Sequence, residues 1–371
     1  MKVQAAVVNE ANKPYVLEEL NLADLQDDEI RVKIVATGVC HSDDALRLGH
    51  WPYPLPAVFG HEGSGIVEET GKSVKNVKVG DHVVLAYAYC SHCQGCLEGA
   101  PVSCESWLAL NWGSVRADGS RYLTRNDGSA INNFYHQSSF ATHANVKEQN
   151  VVVVPKDEDL RILGPLSCGQ MTGFGTVVKA LEVKPGTSIA VFGAGAVGLA
   201  AIMAAKIAGA TTIVAVDILD SRLELAKELG ATHAVNTKSE DPQETIRKIS
   251  GGKGVNYSID TTGVSAAMKT SIDVLAVRGV AAPIAITNKE LTISTTGDLA
   301  SVGRSVIGVL MGATVPQISI PELIAYYKAG KFPYDRLIKT YDFADINQAS
   351  ADSLSGRTIK PVLIVDKSYR P

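Results

Sequence analysis

The sequence predicts an α/β protein with two domains, one mainly β and one built on a doubly wound parallel sheet. Two observations support this prediction. Residues 1–169 consist of short alternating strand-like runs separated by turns, which favours a mainly β domain. From residue 188 onward, wholly apolar runs such as "SIAVF" alternate with helical segments, which is typical of parallel strands buried under helices.

The composition is that of an ordinary globular chain. Of its 371 residues, 46% are hydrophobic and 20% are charged, and the net charge of −4 gives no reason to expect a nucleic-acid or membrane partner. The stretch "MKVQAAVVNEANK" lacks the apolar core of a signal peptide, and the longest uncharged stretch is too rich in glycine for a membrane span. We therefore expect a cytoplasmic protein, in which clustered cysteines indicate metal binding rather than disulfides.

A glycine motif follows the first buried strand of the second domain. Gly193, Gly195 and Gly198 form the pattern G-x-G-x-x-G, which opens an Ala-rich helix, and a second apolar run ends at Asp217, nineteen residues later. This context is typical of Rossmann-type dinucleotide binding, in which the helix N-terminus favours the pyrophosphate. Because the carboxylate of Asp217 would accept the ribose hydroxyls and repel a 2′-phosphate, the motif predicts NAD rather than NADP. Arg222 either flanks the ribose or lies on the helix surface.

The rhythm of strand and helix continues after this motif. "ELAKELGA" predicts a helix that ends at a glycine, and "VNYSIDTTG", "RGVAAPIAI" and "RSVIGVLM" predict strands. Pro283 lies within the second of these strands, although proline removes a backbone donor from a sheet. We therefore expect its nitrogen to face no neighbouring strand.

Four of the six cysteines are close together. Cys90, Cys93, Cys96 and Cys104 have the spacing C-x2-C-x2-C-x7-C, which suits a tetrahedral zinc site with four thiolates. Such a site leaves no position open for substrate, so it should be structural. Four free thiols or an iron–sulfur cluster are the alternatives. The loop "SHCQGCLEGAPVSCES" contains no Lys or Arg, which argues against a nucleic-acid-binding zinc finger.

The other two cysteines lie far from this cluster. Cys40 is in "GVCHSDD", close to His61, and Cys168 is in "GPLSCGQMTGFGT". Two thiolates, one imidazole and one open position describe a catalytic zinc site. A single buried cysteine or histidine is more often structural, so the surrounding motifs decide the interpretation.

Those motifs resemble the zinc-containing medium-chain alcohol dehydrogenases. The stretch "GHEGSGIVEETGKSV" is similar to the family signature at six positions: Gly60, His61, Glu62, Gly65, Gly71 and Val74. The cysteine cluster and the segments around Cys40 and Cys168 follow the family order, and the resemblance covers essentially the whole chain. Within the family, "FYHQSSFATHA" and "GPLSCG" resemble the aryl-alcohol (benzyl-alcohol) dehydrogenases.

The resemblance implies roles for individual residues. Cys40, His61 and Cys168 would ligate the catalytic zinc, Glu62 would approach it from behind, and Asp43 would hold the other ring nitrogen of the histidine. A second group of residues is implied to serve the cofactor and the proton path: Ser42 as the hydroxyl that takes the substrate proton, His41 at a phosphate-contacting position, and Thr172, Val197 and Lys360 at positions that contact nicotinamide or pyrophosphate. Many relatives have a histidine where this chain has Ala45, which puts the usual proton relay in question.

The resemblance also implies the substrate. Trp51, Phe134 and Tyr135 match positions that line the substrate pocket, and aromatic walls suit a planar aromatic primary alcohol. The alternatives are a glutathione-dependent formaldehyde dehydrogenase, a broad-range primary alcohol dehydrogenase and a non-enzymatic relative of the fold. "ESWLALNWGSV" has no basic residue before Arg116, which argues against the first of these, and the intact ligand set argues against the last.

Taken together, these features predict the domain organisation. The resemblance implies a GroES-like catalytic domain with both zinc sites at residues 1–169, and the glycine motif predicts an NAD-binding Rossmann domain at residues 170–310. The resemblance implies that residues 311–371 return to the catalytic domain. We further expect two Zn²⁺ ions and one NAD per chain, a small alcohol or aldehyde substrate, and a homo-oligomer that is a dimer or a tetramer.

Overall fold

A computed structural model describes all 371 residues, which divide into two compact units. The first unit comprises Met1–Cys168, Val315–Glu322 and Asp335–Pro371, and the second comprises Gly169–Thr314 and Leu323–Tyr334. The chain passes from the first unit to the second after Cys168, one residue before the predicted boundary. The return differs from the prediction, because residues 311–314 and 323–334 pack with the second unit rather than with the first.

The chain forms eighteen strands and eleven α-helices. The strands are β1 Lys2–Val8, β2 Val16–Leu22, β3 Glu29–Gly38, β4 Ala57–Val58, β5 Gly63–Thr70, β6 His82–Leu85, β7 Leu123–Thr124, β8 Ala130–Asn133, β9 His143–Lys147, β10 Val151–Val154, β11 Ser188–Phe192, β12 Thr212–Asp217, β13 His233–Asn236, β14 Val255–Asp260, β15 Leu275–Pro283, β16 Ser305–Val306, β17 Ile338–Asp342 and β18 Lys360–Ile364. The helices are α1 His41–Arg47, α2 Gln94–Leu97, α3 Trp107–Trp112, α4 Leu160–Leu163, α5 Gly169–Gly175, α6 Ala196–Ile207, α7 Asp220–Leu229, α8 Pro242–Ile249, α9 Ser265–Asp273, α10 Pro316–Lys328 and α11 Ile346–Leu354.

The first unit is mainly β, as predicted. Strands β1, β2, β7, β8 and β4 close into a small barrel, and a second sheet has the order β10-β6-β5-β3-β18-β17, with β9 also paired to β3. Strand β3 alternates between the two faces, and its residues Ile30, Val32 and Ile34 are fully buried. These residues pack with Val83, Leu85 and Val146 from neighbouring strands to form a core under the sheet.

The second unit contains the predicted doubly wound sheet. Its six strands are parallel and have the order β13-β12-β11-β14-β15-β16, which in chain order is 3-2-1-4-5-6. Strand β11 lies at the centre and is buried from Ile189 to Phe192, which explains why it carries no polar alternation. The central strand and the start of helix α6 after it lie where the sequence predicts.

Pro283 ends strand β15 and leaves no sheet hydrogen bond unmade. On one side of β15, the N–H of Ile284 donates to Asp260 O of β14 at 2.9 Å, so the nitrogen of Pro283 faces the opposite side. There β16 pairs only with Val280 and Ala281 and has ended before Pro283. This agrees with the expectation for the proline, whereas the third predicted strand is shorter than its apolar run suggested.

None of the helices combines the length and the apolar composition needed to cross a membrane.

Candidate functional site

Helix α1 positions the first group of predicted ligands. Cys40 is its N-cap residue, and the Asp43 side chain accepts a hydrogen bond from the Cys40 backbone N–H at 3.2 Å. The same carboxylate accepts from the Gly60 N–H at 3.0 Å and lies 2.9 Å from Nδ1 of His61. One fully buried carboxylate therefore joins the start of the helix to the loop that carries the histidine, and it orients the His61 ring with Nε2 facing away from it.

The residues predicted to surround the catalytic zinc come together in the first unit. Donor atoms of Cys40, His61, Glu62 and Cys168 all lie within 4.8 Å of one another. The two sulfurs are 4.0 Å apart, and His61 Nε2 is 3.3 Å from Cys168 Sγ. Two sulfurs on one tetrahedral zinc should be about 3.8 Å apart, because the Zn–S distance is about 2.3 Å. The arrangement of two thiols and one imidazole therefore fits a zinc ion.

Glu62 has a cationic partner of its own. Lys360 Nζ donates to both carboxylate oxygens at 2.8 and 2.9 Å and to Val39 O at 3.2 Å, and both side chains are buried. Burial alone would lower the pKa of Lys360, but the charge of Glu62 raises it, so the ammonium keeps its proton. Burial also raises the pKa of Glu62, and the charge of Lys360 offsets part of that effect.

This ion pair bears on the roles that were predicted for Glu62 and Lys360. All three protons of the Lys360 ammonium are already donated within the chain, so its contact with the cofactor stays a prediction that the structure does not support. Glu62 lies beside the sulfurs, as predicted, but Lys360 holds its carboxylate. Of the four clustered residues, Cys40, His61 and Cys168 are free to share one ion.

The two thiols of the cluster differ in acidity. The hydrogen bond from the Cys168 thiol lowers the pKa of Cys40 well below its ordinary value. Donation of that bond, together with burial, raises the pKa of Cys168. A divalent cation favours the deprotonated form of both, because a coordinating thiol loses its proton.

Three other residues of helix α1 lie at or near this cluster. The hydroxyl of Ser42 is 3.7 Å from Cys40 Sγ, so it is within reach of a small molecule bound beside that sulfur. His41 is exposed at the start of the helix, and its predicted contact with phosphate stays a prediction. Ala45 lies one turn further on and supplies no polar group for a proton relay.

Aromatic rings surround one side of His61. The ring of Tyr135 is tilted by 34° against the His61 ring, with 4.9 Å between the centroids, and the residue keeps 5% of its surface exposed. Burial raises the pKa of Tyr135, and the nearby Cys168 and Cys40 sulfurs raise it further, so its hydroxyl stays protonated. Trp51 is partly exposed, and its place in the substrate pocket stays a prediction.

Phe134 requires a correction. It has no exposed surface and is enclosed by five rings, those of Tyr53, Phe59, His61, Trp112 and Tyr135. It is therefore part of the core beneath the cluster rather than an accessible pocket wall. Tyr53 and Trp112 were not predicted from the sequence as members of this aromatic core. They come from separate segments, and only the tertiary fold brings their rings against Phe134.

The four clustered cysteines also converge, at the surface of the first unit. Their sulfurs lie within 4.8 Å of one another, and Cys90 Sγ and Cys96 Sγ are 3.9 Å apart, as expected for two ligands of one zinc ion. Backbone N–H groups of Cys93 and Cys90 donate to the sulfurs of Cys90 and Cys104, both at 3.3 Å. These bonds point the sulfurs toward a common centre.

Two glycines explain how this loop folds so tightly. A side chain on Gly95 would meet Ser103 O at 2.7 Å, and Gly99 has a φ of +79°. The Cys96 N–H lowers the pKa of Cys93 to about 6, whereas burial raises that of Cys96 to about 12. His92 is exposed and lies 2.7 Å from Cys90 O through Nδ1, so the four sulfurs are the donor set.

The glycine motif of the second unit forms the predicted turn. Gly193 has a φ of +91°, and a side chain on Gly198 would collide with the carbonyl oxygen of Gly193. Gly195 differs, because its φ is −80° and the nearest atom to an added Cβ is Arg222 Nη1 at 3.8 Å. Nothing within the chain requires glycine there, which fits a backbone that a ligand phosphate must approach at the start of helix α6.

The acidic residue after this motif is held firmly. The Asp217 carboxylate accepts hydrogen bonds from the backbone N–H groups of Ala194, Ile218 and Leu219 at 2.6 to 3.0 Å. It thereby lies directly against the glycine turn, and its contact with an adenosine ribose stays a prediction. Thr172 and Val197 are partly exposed in the same unit, and their contacts with the cofactor stay predictions.

Comparison with known families identifies both domains. Residues 26–156 match the alcohol dehydrogenase GroES-like domain, and residues 196–328 match the zinc-binding dehydrogenase domain. The first match contains Cys40, His61 and all four clustered cysteines. The second match begins at the start of helix α6.

Individual relatives match over almost the whole chain. The chain is 38% identical to geraniol dehydrogenase of Castellaniella defragrans, over 98% of both chains. The crystal structure of an alcohol dehydrogenase zinc-binding domain protein from Burkholderia ambifaria is 46% identical, with a TM-score of 0.96 and 99% coverage of both chains. Benzyl alcohol dehydrogenase from Acinetobacter calcoaceticus is 43% identical, with a TM-score of 0.95 and coverage of 99% of this chain and 100% of that chain.

Proposed function

The chain belongs to the family of zinc-dependent alcohol dehydrogenases, and on this premise we propose that it oxidises a primary aromatic alcohol of the benzyl type reversibly to its aldehyde, with NAD as the cofactor. It is an oxidoreductase that uses zinc and NAD or NADP. The observation that carries the proposed substrate is the ring of Tyr135, which lies 4.9 Å from the ring of His61 beside the predicted ligands.

The zinc-binding residues are assigned from the two convergent clusters. We assign Cys40, His61 and Cys168 to the catalytic ion and the four clustered cysteines to a structural one. A zinc ion at the first site supplies a Lewis acid for an alcohol oxygen, and the nicotinamide supplies a hydride acceptor. The four-sulfur site has no open position, so its contribution is to the stability of the loop.

The residues around the catalytic ligands prepare them for this chemistry. Asp43 accepts the Nδ1 proton of His61, which leaves the Nε2 lone pair facing the two sulfurs. Lys360 neutralises Glu62, so that no unpaired carboxylate competes for the open position. Ser42 lies next to Cys40, and its hydroxyl would relay the proton of the alcohol, accepting it while passing its own proton toward a ribose hydroxyl of the cofactor.

The cofactor choice rests on Asp217. Three backbone N–H groups hold its carboxylate in place, so it cannot easily turn away from a 2′-phosphate, and like charges would repel. We expect NAD to be preferred over NADP by at least about tenfold in kcat/KM, and Asp217→Gly to reduce this preference. A wild-type enzyme that prefers NADP would contradict the assignment.

The substrate is tested with a panel of alcohols. With NAD at saturation, kcat/KM for benzyl alcohol should exceed that for hexanol by at least about tenfold, because a flat ring packs better against aromatic walls. Equal values for the two alcohols would indicate a broad-range primary alcohol dehydrogenase.

Geraniol is the second candidate substrate, since a 38% identical relative is a geraniol dehydrogenase. Like benzyl alcohol, geraniol carries its hydroxymethyl group on an sp² carbon. A value for geraniol well above that for benzyl alcohol would transfer the proposal to terpene alcohols.

A further inference from the structure

Tyr135 has an unusual backbone conformation that the surrounding chain enforces. Its φ is +54°, in the left-handed region that a bulky residue rarely adopts. Its N–H donates to Asn111 O at 2.9 Å, and Asn150 Nδ2 donates to its carbonyl oxygen at 3.3 Å. Both asparagines are fully buried. Such strain persists only where the fold over-determines it, so the position of this side chain is strongly specified.

The clamped backbone places the ring among other aromatic groups. The Tyr135 ring lies 4.9 Å from His61, 4.7 Å from Phe134 and 6.0 Å from Trp107, centroid to centroid. A phenylalanine would fill this place equally well. Packing therefore explains the ring but does not explain the hydroxyl.

The hydroxyl of Tyr135 has no hydrogen-bond partner within the chain, and it is not among the buried unpaired atoms, so the residual exposed surface includes it. Two nearby tyrosines differ in this respect. Tyr122 Oη pairs with His136 Nδ1 at 2.8 Å, and Tyr53 donates to Asn133 O. Because a nearly buried phenol normally finds a partner, the partner of Tyr135 must come from outside the chain.

We propose that the Tyr135 hydroxyl donates a hydrogen bond to an oxygen substituent on the aromatic ring of the substrate. This proposal rests on the proposed function and narrows it to ring-oxygenated benzyl alcohols, such as methoxybenzyl alcohols. The reacting oxygen already has Ser42, which lies beside Cys40. Tyr135 is next to His61, on the aromatic wall, so it is placed to contact the ring that the alcohol carries.

The test uses Tyr135→Phe, which removes only the hydroxyl, with Tyr122→Phe as the matched control. The control substitution also removes a hydroxyl, but the hydroxyl of Tyr122 already has a hydrogen-bond partner inside the chain, His136. For each enzyme, kcat/KM is measured with NAD for benzyl alcohol and for 2-, 3- and 4-methoxybenzyl alcohol, whose oxygen can only accept. Tyr135→Phe should lower the value for at least one methoxy isomer, relative to benzyl alcohol, by about three- to tenfold, the usual range for one neutral hydrogen bond. Tyr122→Phe should leave the kcat/KM of each methoxy isomer relative to benzyl alcohol unchanged.

Each other outcome overturns a specific step. If the kcat/KM of each methoxy isomer relative to benzyl alcohol were the same in Tyr135→Phe as in the wild type, the hydroxyl would not contact the ring substituent. An equal loss for benzyl alcohol and all isomers would place the hydroxyl at the reacting oxygen instead. A wild-type enzyme that oxidises hexanol or geraniol but no benzyl alcohol would refute the proposed function itself, which is a separate result. The melting temperature of each variant shows whether it is folded.

Discussion

The two metal-type clusters of the first unit reach the same geometry by different routes. In both, four donor side chains lie within 4.8 Å of one another. Cys90 and Cys104 are separated by only 14 positions, whereas Cys40 and Cys168 are separated by 128. The first cluster is formed by one loop. The second requires helix α1, the loop that carries His61 and the turn before α5 to be in place first.

The clusters also differ in what surrounds them. The loop cluster consists of sulfurs only and is oriented by its own backbone N–H groups. The second cluster has two buried carboxylates, Asp43 on the histidine and Glu62 on Lys360. A closed set of four thiolates suits a structural ion, whereas three ligands supported by a polar network leave a position open for chemistry. The comparison therefore predicts that one cluster supports turnover and the other supports stability.

The largest effect is expected from Cys40→Ser. Loss of one of the two thiolates from a set of three ligands should remove the catalytic ion and reduce turnover by at least about a thousandfold, since the Lewis acid is lost. NADH binding, followed by its fluorescence, should be retained because the glycine motif is untouched. Elemental analysis should give two zinc ions per chain for the wild type and one for the variant. Full activity with one zinc ion or none would break the comparison.

Cys93→Ser tests the other cluster. Removing a ligand from the loop should lower the melting temperature by on the order of 5 °C or more, because the ion no longer holds the loop together. Any protein that remains folded should keep most of its turnover. His92→Ala is the control within the loop, since His92 contacts only a carbonyl oxygen, and it should keep its zinc and its stability. Loss of turnover at full stability in Cys93→Ser would reverse the assignment of the two clusters.

Asp43→Asn sharpens the comparison within the catalytic cluster. The amide cannot supply the negative charge that accepts the His61 proton, so zinc affinity or turnover should fall by about 10- to 100-fold. Asp44→Asn is a matched control, because Asp44 is equally buried but pairs with Arg47 and Ser350. The control should lose stability without losing zinc. If both variants lost zinc to the same extent, the role of Asp43 would be general packing.

The smallest effect is expected from Ala45→His. A histidine one turn after Ser42 would add a general base and should increase alcohol oxidation below neutral pH, by less than about tenfold, because a route through water already exists. The measurement is the pH profile of pre-steady-state hydride transfer with benzyl alcohol. If the profile were unchanged while Ser42→Ala remained strongly impaired, the proton path would not pass this position. A harmless Ser42→Ala would remove the assigned path altogether.

The glycine motif and the cysteine loop are features whose structure could be predicted from the local spacing of residues. Strand β11, helix α6 and the end of β12 at Asp217 lie where the sequence predicts, and the doubly wound sheet is confirmed. Strand β11, the glycine turn and the cysteine loop each depend on residues a few positions apart, which are joined by few dihedral angles. The residue types therefore constrain their geometry directly.

Other expectations depended on contacts that spacing does not encode. Phe134 lies next to Tyr135 in the chain, yet it is enclosed by five rings, while Tyr135 keeps some exposed surface. Neighbouring aromatic residues thus differ in exposure. Residues 323–334 pack with the second unit, although the family resemblance implied that the whole tail returns to the first.

The composition of each ligand set and the carboxylate partner of His61 could be predicted from the sequence, but the cationic partner of Glu62 could not. Cys40, His61 and Cys168 were predicted from their motifs, and the fold brings them together. The pairing of Glu62 with Lys360, 298 positions away, follows no pattern in the sequence. Two opposite charges are buried there because each pays for the desolvation of the other, and that condition exists only once β18 lies beside β3.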